Sequence, residues 1–532
     1  MPVSLIANIA DKMSAWPRIA KALAALSAGA VMVPAMPPSC IWPTLFAGLS
    51  VFYILLSSLK RARAGFVYGW LFGFGYFACG LSWIANALLV EGNQFAWFWP
   101  FAVAGLPALL AFFTASAAAL AVRFGKLTTL GGWLLFIFLT MGFEWLRGHI
   151  FTGFPWNLYG YAWAEMLPAA QLVSIGGIYW LSLLTCLWAS LPGFLTVWKR
   201  RTFVKAVLFC AITVVMAGGW LYGHLRLKAH PMQLRHDVAI RLVQPNIPQE
   251  DKWDPKKSAQ NLDRLLLLSD ARRVNDLVTT IIVWPETAIS DYLLQDTAAS
   301  AAIKAVLSGY ESPVYLLSGA MRYEKLADGS KKYFNSLMLF DNRLNPLAAY
   351  DKSHLVPFGE YIPFQKHIPL KPFVKFSGFE QGGGPQSISI PGIAGAFSPL
   401  VCYEIIFPGA VTDRKDRPGF IVNVTNDSWY GDSAGPHQHF AKTQFRAIEE
   451  GVPVVRSANT GISGVIGPLG RIVHKENLFT EGGNNVALPQ NISPAPLYAR
   501  FGDIIFLVSM GTILALSLLL QRVARNKEIH EK

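Results

Sequence analysis

Charge is scarce in this sequence. Asp, Glu, Lys and Arg together make up only 15% of its 532 residues, where globular domains carry about 25%. So small a charged fraction excludes a chain that meets water over its whole surface. Cysteine is scarce too. There are five, Cys40, Cys79, Cys186, Cys210 and Cys402, with no Cys-x-x-Cys spacing, which removes zinc ribbons and thioredoxin-like redox motifs. Four lie in or beside apolar runs, where cysteine serves as a small buried hydrophobe. Only Cys402 falls in the polar half, so no disulfide can form within that half. The net charge is +13, yet no basic stripe is interleaved with aromatics, so nucleic acid is not an expected partner. The apolar runs themselves are nearly free of ionisable groups, which speaks against a proton relay or an ion path.

What is abundant is apolar surface: hydrophobic residues reach 53%, with 17 Trp and 35 Phe. Seven apolar runs precede residue 224, at about 21–36, 41–59, 64–90, 96–122, 130–143, 169–197 and 204–222, and an eighth covers 504–520. Most approach the roughly 20 residues that a helix needs to cross a bilayer core; the first and fifth are short. A chain of eight transmembrane helices is expected. Lys60, Arg61 and Arg63 follow the second run, Arg123 and Lys126 the fourth, Lys199, Arg200, Arg201 and Lys205 the sixth, and Arg522, Arg525 and Lys527 the eighth. The alternate loops are nearly bare of Lys and Arg. By the positive-inside rule both termini are then cytoplasmic, and the long segment before the last run lies on the outer face. The expected division is a membrane domain at 1–224, an outer domain at 225–499, and a last helix with its tail at 500–532. Gly69, Gly73, Gly75 and Gly80 lie inside a run rather than after a soluble strand, so they read as close helix contacts and not as a dinucleotide fingerprint.

The outer segment alternates between strand and helix patterns. Strands are expected at 238–243, 280–284, 314–319, 336–340, 400–402 and 420–424, and helices at 257–269, 297–309 and 439–451. This is the pattern of an α/β core, whose functional groups belong at strand ends.

Three strand-end groups there have the chemistry of acyl transfer. Cys402 leaves a buried strand, and at the start of a helix its thiolate would meet favourable backbone dipoles. Glu286 closes the strand ending at Trp284, among apolar neighbours Trp284, Pro285 and Ala288, and is placed to act as the base. Lys352 offers an ammonium where an oxyanion develops, and Glu360 is a second carboxylate to orient it. Each group taken alone has an ordinary reading, as an inert buried thiol or a solvated charge. The segments Glu144-Trp145-Leu146-Arg147 and Thr152-Gly153-Phe154-Pro155-Trp156 stand at the end of the fifth run, and Arg147 and Trp156 read either as interfacial anchors or as part of a lipid entrance. The stretch 364–379, with Phe373, Phe376 and Phe379, reads either as an apolar lid over a site that must exclude water or as an ordinary buried loop.

Trp284-Pro285-Glu286, the run from Lys352 through His354-Leu355-Val356-Pro357-Phe358-Gly359 to Glu360, and Cys402-Tyr403-Glu404 resemble the Glu-Lys-Cys signature of the nitrilase superfamily. Within it they resemble the membrane branch, the apolipoprotein N-acyltransferases. The likeness extends to Val243–Gln249 with Trp253-Asp254, to Asn426–Gly431, to Arg456–Asn459 and to the eight-run plan. It implies an αββα sandwich on the outer face of a bacterial inner membrane. It further implies that an acyl chain passes from a phospholipid to the α-amine of a diacylglyceryl-cysteine on an apolipoprotein. Cys402 would be nucleophile, Glu286 base and Lys352 oxyanion stabiliser, with Glu360, Tyr403, Glu404 and Trp253 in support. No cofactor is implied. No metal is expected either, since His437 and His439 lack a third ligand at usual spacing. The alternatives are a membrane-tethered amidase acting on a small amide through the same triad, and a transporter or receptor with a binding domain.

Overall fold

The computed structural model describes residues 11–90, 93, 95–270, 278–290, 293–361 and 378–530; Phe373 and Phe376 lie outside the described residues. The chain divides into two compact units. One comprises Met1–Trp83, Pro100–Ala229 and Phe501–Lys532, and the other Ile84–Trp99 and His230–Arg500. The segment Ile84–Trp99 was expected inside the membrane domain. It groups instead with the second unit, where Asn86 Nδ2 donates to the Tyr430 carbonyl at 2.6 Å.

The first unit is helical. Among the described residues, six helices are long and apolar enough to cross a membrane, by length and composition: Arg18–Ala35, Ala96–Phe124, Leu130–His149, Val173–Val197, Thr202–Ala229 and Ile504–Asn526. The expected count was eight. The other two runs also fold as helices, Pro43–Ser57 and Ala62–Gly80, but the first has only 15 residues. The second is diluted by five glycines and by Arg63. The fifth run, expected to stop at 143, continues to His149 because Glu144 and Arg147, one turn apart, face each other at 3.5 Å and tolerate burial as a pair. Thr202–Ala229 has an apolar surface on all sides, and Phe203 and Val214 are 78% and 70% exposed. Such a helix suits hydrocarbon and not water.

Glycine sets how near these helices come. A Cβ added to Gly75 would overlap the Leu26 carbonyl, and one added to Gly29 would overlap the Phe72 carbonyl, so Arg18–Val31 and Ala62–Gly80 touch backbone to backbone. Gly69 and Gly73 make room for the side chains of Ala118 and Thr114 on the helix Trp99–Phe124. The reading of these glycines as close contacts holds.

The second unit is a layered α/β sandwich. Its strands are β1 (Leu234–Gln244), β2 (Thr279–Ile289), β3 (Val314–Lys325), β4 (Lys331–Phe340), β5 (Pro346–Asp351), β6 (Phe397–Val401), β7 (Phe420–Thr425), β8 (Val454–Ala458), β9 (Gly464–Ile466), β10 (Ile472–Lys475) and β11 (Gly482–Pro489). One sheet has the order β11-β1-β2-β3-β4-β5 and the other β10-β9-β8-β7-β6. Strands β1, β2 and β3 run parallel, as do β6, β7 and β8. The period of two along a strand divides the core. Ile281 and Val283 of β2 pack between the sheets with Val401, Val422 and Val424. Ile282 and Trp284 face the other way, onto Leu262, Leu266 and Ile303 of the helices Ser258–Ser269 and Thr297–Ser308. Asp296 caps the second of these, accepting from the amides of Ala298 and Ala299. The helix Ala434–Glu450, capped by Ser433, packs against β8 on the second sheet. Sequence patterns missed β5 and β8–β11, which are short or polar, and placed the start of the last helix five residues late, past Pro436.

Gly75→Val should lower the thermal midpoint of the purified protein by an amount equivalent to about 1–3 kcal/mol. Gly105→Ala, where an added Cβ meets nothing within 4 Å, should leave it unchanged. Equal midpoints for the two variants would refute backbone-to-backbone packing at Gly75.

Candidate active site

Four strand ends converge on one buried polar cluster. Strand β6 stops at Val401, and Cys402 follows in the left-handed region with φ 52°. The helix expected here is a single 3-10 turn, Cys402–Ile406, cut short where Phe407 precedes Pro408. The turn is too short to supply the expected dipole. Burial, then the charge of Glu286, push the Cys402 thiol well above its ordinary pKa, while Lys352 pulls the other way. The shift favours the thiol over the thiolate.

Glu286 lies where the pairing of β2 with β3 loses register, between Trp284 and Ile289. Its surroundings are polar, not the apolar pocket expected from Trp284, Pro285 and Ala288, because Trp284 turns to the helix layer. Oε1 accepts from Asn335 Nδ2 at 2.8 Å, and Oε2 accepts from the Asn426 amide at 2.8 Å. Lys352 Nζ is 3.9 Å from Oε1.

Lys352 begins the loop after β5 and is 1% exposed. Its Nζ lies 2.9 Å from Glu360 Oε1 and 2.8 Å from Oε2. Burial opposes its charge, but Glu360 and then Glu286 outweigh it and raise its pKa. Glu360 is fixed in turn by the Val356 amide at 2.8 Å and by Asn335 Nδ2 at 2.9 Å, so the orienting role expected of it has a geometry.

Glu404 ties the Lys352 loop to the Cys402 turn. Oε1 accepts from Tyr350 Oη (2.7 Å), the Ser353 amide (2.8 Å), Ser353 Oγ (2.8 Å) and the His354 amide (3.1 Å), and Oε2 accepts from the Val401 amide at 2.7 Å. Tyr403 is buried edge-on to Phe407, with ring centroids 5.1 Å apart. Trp253 is half-buried, with Lys252 Nζ 5.8 Å from its ring centre. Phe379 is half-buried, and its amide donates to the Glu360 carbonyl at 3.3 Å, which brings the end of the 364–379 stretch to the Lys352–Glu360 loop. Arg147 and Trp156 belong to the helical unit and are 3% and 1% exposed. Arg147 donates to the Phe154 carbonyl at 2.5 Å and lies over Phe77, and Trp156 packs on Trp83.

On the side of the second sheet, the main-chain carbonyl of Cys402 is met by Asn423 and His439. Asn423 Nδ2 donates to its carbonyl at 3.3 Å, and His439 Nε2 lies 3.3 Å from the same oxygen. His439 Nδ1 is 2.9 Å from Asp427 Oδ1, and Arg456 reaches Asp427 Oδ2 at 2.7 Å and Asn423 Oδ1 at 2.5 Å. Burial works against the Asp427 carboxylate, but Arg456 and then His439 outweigh it and hold its pKa well below the ordinary value. Burial and then Arg456 push His439 down to about 4.

Two family models match the chain: the apolipoprotein N-acyltransferase N-terminal domain over residues 28–191, and carbon-nitrogen hydrolase over residues 239–494. The apolipoprotein N-acyltransferase of Rhodopseudomonas palustris is 39% identical over 523 residues, covering 94% of this chain and 95% of that one. That of Brucella suis is 38% identical over 92% and 94% of the two chains, and that of Rickettsia prowazekii 34% over 90% and 94%. The chain belongs to the apolipoprotein N-acyltransferase family. An amidase from Nesterenkonia sp. AN1 is a solved structure with 16% identity and a TM-score of 0.34, covering 51% of this chain and 98% of that one. For a member of the apolipoprotein N-acyltransferase family, the residues not anticipated from sequence are Asn335, Lys252, Asp427 and His439. Asn335 bridges two carboxylates from the middle of a hairpin strand, where nothing in its local string marks it. Asp427 stands unassigned inside the recognised string Asn426–Gly431, His439 is weighed in the sequence only as a metal ligand, and Lys252 stands beside Trp253.

Asp427 gives a pH test. Its folded pKa lies below the unfolded value near 3.9, so the unfolded chain takes up the proton first as pH falls. The stabilisation is complete above about pH 4 and is lost on further acidification. Asp427→Asn should be less stable than the unmodified protein at neutral pH by about 3–5 kcal/mol, with the gap closing below about pH 4. Thermal midpoints of both proteins across pH check this; a gap that stays constant would refute it.

Proposed function

We propose that this chain transfers a fatty acyl chain from a phospholipid, through a thioester on Cys402, to the α-amine of the diacylglyceryl-cysteine of an apolipoprotein. The observation that carries this reading is that the family likeness spans both halves of the chain, the apolar helical unit as well as the α/β unit. A hydrolase of small soluble amides has no use for six helices of membrane length.

Glu286 takes the proton from Cys402 Sγ as the sulfur attacks the ester carbonyl carbon. The oxyanion that forms is stabilised by the ammonium of Lys352, held in place by Glu360. When the C–O bond breaks, Glu286 returns the proton to the departing lysolipid oxygen and a thioester remains, dividing one hard step into two easier ones. The amine then attacks the thioester carbon. Its proton passes by way of Glu286 to the leaving sulfur, and the amide is released. Glu404, Tyr403 and Trp253 support this geometry. Mixed donors around Glu286, two amides and an ammonium, suit a group that must alternate between base and acid.

The chain is read as a multi-pass protein of the bacterial inner membrane, with eight spans, both termini cytoplasmic and residues 225–499 as the catalytic domain on the periplasmic face. Alternation of basic and neutral loops supports these sides. The partners are then the phospholipid donor and the diacylglyceryl-modified acceptor.

Intact-mass analysis after exposure to phospholipid should reveal one added acyl chain on Cys402 and one equivalent of lysolipid. Cys402→Ala, Glu286→Gln and Lys352→Met should each suppress the adduct, the last by about a hundredfold to a thousandfold in rate. A diacylglyceryl-cysteine peptide with a free amine should discharge the adduct, and its N-acetylated form should not. Rapid loss of the adduct in buffer without any amine would favour the amidase instead.

Topology has its own test. A cysteine introduced at Asp328 should react with an impermeant thiol reagent from outside the cell, and one at Arg200 only after the membrane is broken. Labelling at Arg200 in intact cells would reverse the sides.

A further inference from the structure

Glu286 occupies a poorly supported stretch of backbone. Pairing of β2 with β3 breaks between Trp284 and Ile289, so no regular ladder holds residues 285–288. Thr287 has φ 47°, a left-handed conformation that strains a branched residue by about 1–2 kcal/mol. Strand β3 passes so close that a Cβ on Gly319 would lie 2.5 Å from Glu286 Cα. The main chain is bent there and must be held by something other than the sheet.

Lys252 meets that need. It ends the short helical turn Gln249–Lys252, and its Nζ donates to the main-chain carbonyl of Glu286 at 2.7 Å. The turn is anchored to the same cluster, since Gln249 Oε1 accepts from Asn426 Nδ2 at 2.8 Å while the Asn426 amide holds Glu286 Oε2. Lys252 is half-buried, and its ammonium gives up hydration to a neutral carbonyl with no contact ion pair among the described residues. Burial accordingly pushes its pKa down to about 8, against the opposing pull of Glu286 and Cys402.

Building on the proposed acyl transfer, we infer that Lys252 is a positioning residue that keeps Glu286 aimed at Cys402 in both protonation states of that base. The logic lies in which atoms are held. The bonds from Asn335 and Asn426 end on the carboxylate oxygens, and they weaken when Glu286 gains a proton, because the protonated oxygen becomes a donor. The bond from Lys252 ends on the carbonyl, which does not titrate. It persists while the proton moves from sulfur to Glu286 and on to the leaving group.

The test is the burst of lysolipid release when purified full-length protein is mixed with phospholipid, resolved into amplitude and rate. Lys252→Met should keep the amplitude close to that of the unmodified protein and slow the burst about 10- to 100-fold, the scale of a misplaced reacting group. The KM for phospholipid should stay within about twofold, and Lys252→Arg should recover part of the rate. An unchanged burst rate in Lys252→Met would overturn the inference, as would a reduced amplitude at unchanged rate, which marks loss of folded sites alone. If Lys252→Met does not fold, Lys252→Gln is measured in the same way and should be slowed, with the same outcomes counting against the inference. Absence of any acyl-enzyme in the unmodified protein would instead refute the proposed function.

Discussion

A lysine ammonium almost completely removed from water is the constraint around which the α/β unit is organised. Lys352 is 1% exposed, and an isolated charge so placed would cost several kcal/mol in desolvation. Glu360 compensates for most of that, with both carboxylate oxygens within 2.9 Å, and Glu286 contributes from 3.9 Å. Two carboxylates brought to one cation need donors of their own, which Asn335 supplies to both at once and the Val356 and Asn426 amides complete. Removing any member leaves a buried charge without its complement. For this reason the loop after β5, the hairpin strand β4 and the broken end of β2 have to meet.

Beside this cluster stands a second, ionic one that never touches the first lysine. His439 lies 3.3 Å from the Cys402 carbonyl and is itself held by Asp427, which Arg456 pairs. Cys402 and Glu286 both occupy irregular backbone, Cys402 at positive φ and Glu286 just before Thr287 at positive φ. Strain of this kind persists only where the surroundings over-determine it. Here the surroundings are buried hydrogen bonds to main-chain carbonyls.

How much of this was legible in the sequence follows from what each residue depends on. The strands leading to Glu286 and Cys402 were visible because each contains apolar residues buried in the core, a β-branched run in β2 and Leu400-Val401 in β6. Glu360 was visible because it is only eight residues from Lys352, within a recognisable string. Asn335 was not, because its role exists only once β4 lies between two carboxylates from distant parts of the chain. The polar setting of Glu286 was misjudged for a related reason: two residues apart, Trp284 and Glu286 would share a face of a regular strand, but the register break after Trp284 turns Glu286 away from the helix layer. The expected helix after Cys402 failed locally, since Pro408 ends it after one turn. In the helical unit, each apolar run located a helix, and Ala62–Gly80 falls short of the six in mean hydropathy because glycine and Arg63 dilute it.

The helix Thr202–Ala229 contains 28 residues, about 42 Å at 1.5 Å per residue, against a hydrocarbon core of about 30 Å. Among its described side chains only Gly223 counts as buried, so little neighbouring protein shares the mismatch. The surplus of about 12 Å has to be accommodated by tilt, by thickening of the surrounding lipid, or by extending the end with Arg226 and Lys228 into the headgroups. Bilayer thickness thus acts on this helix as a mechanical load, and the surrounding lipids would set the angle at which it stands.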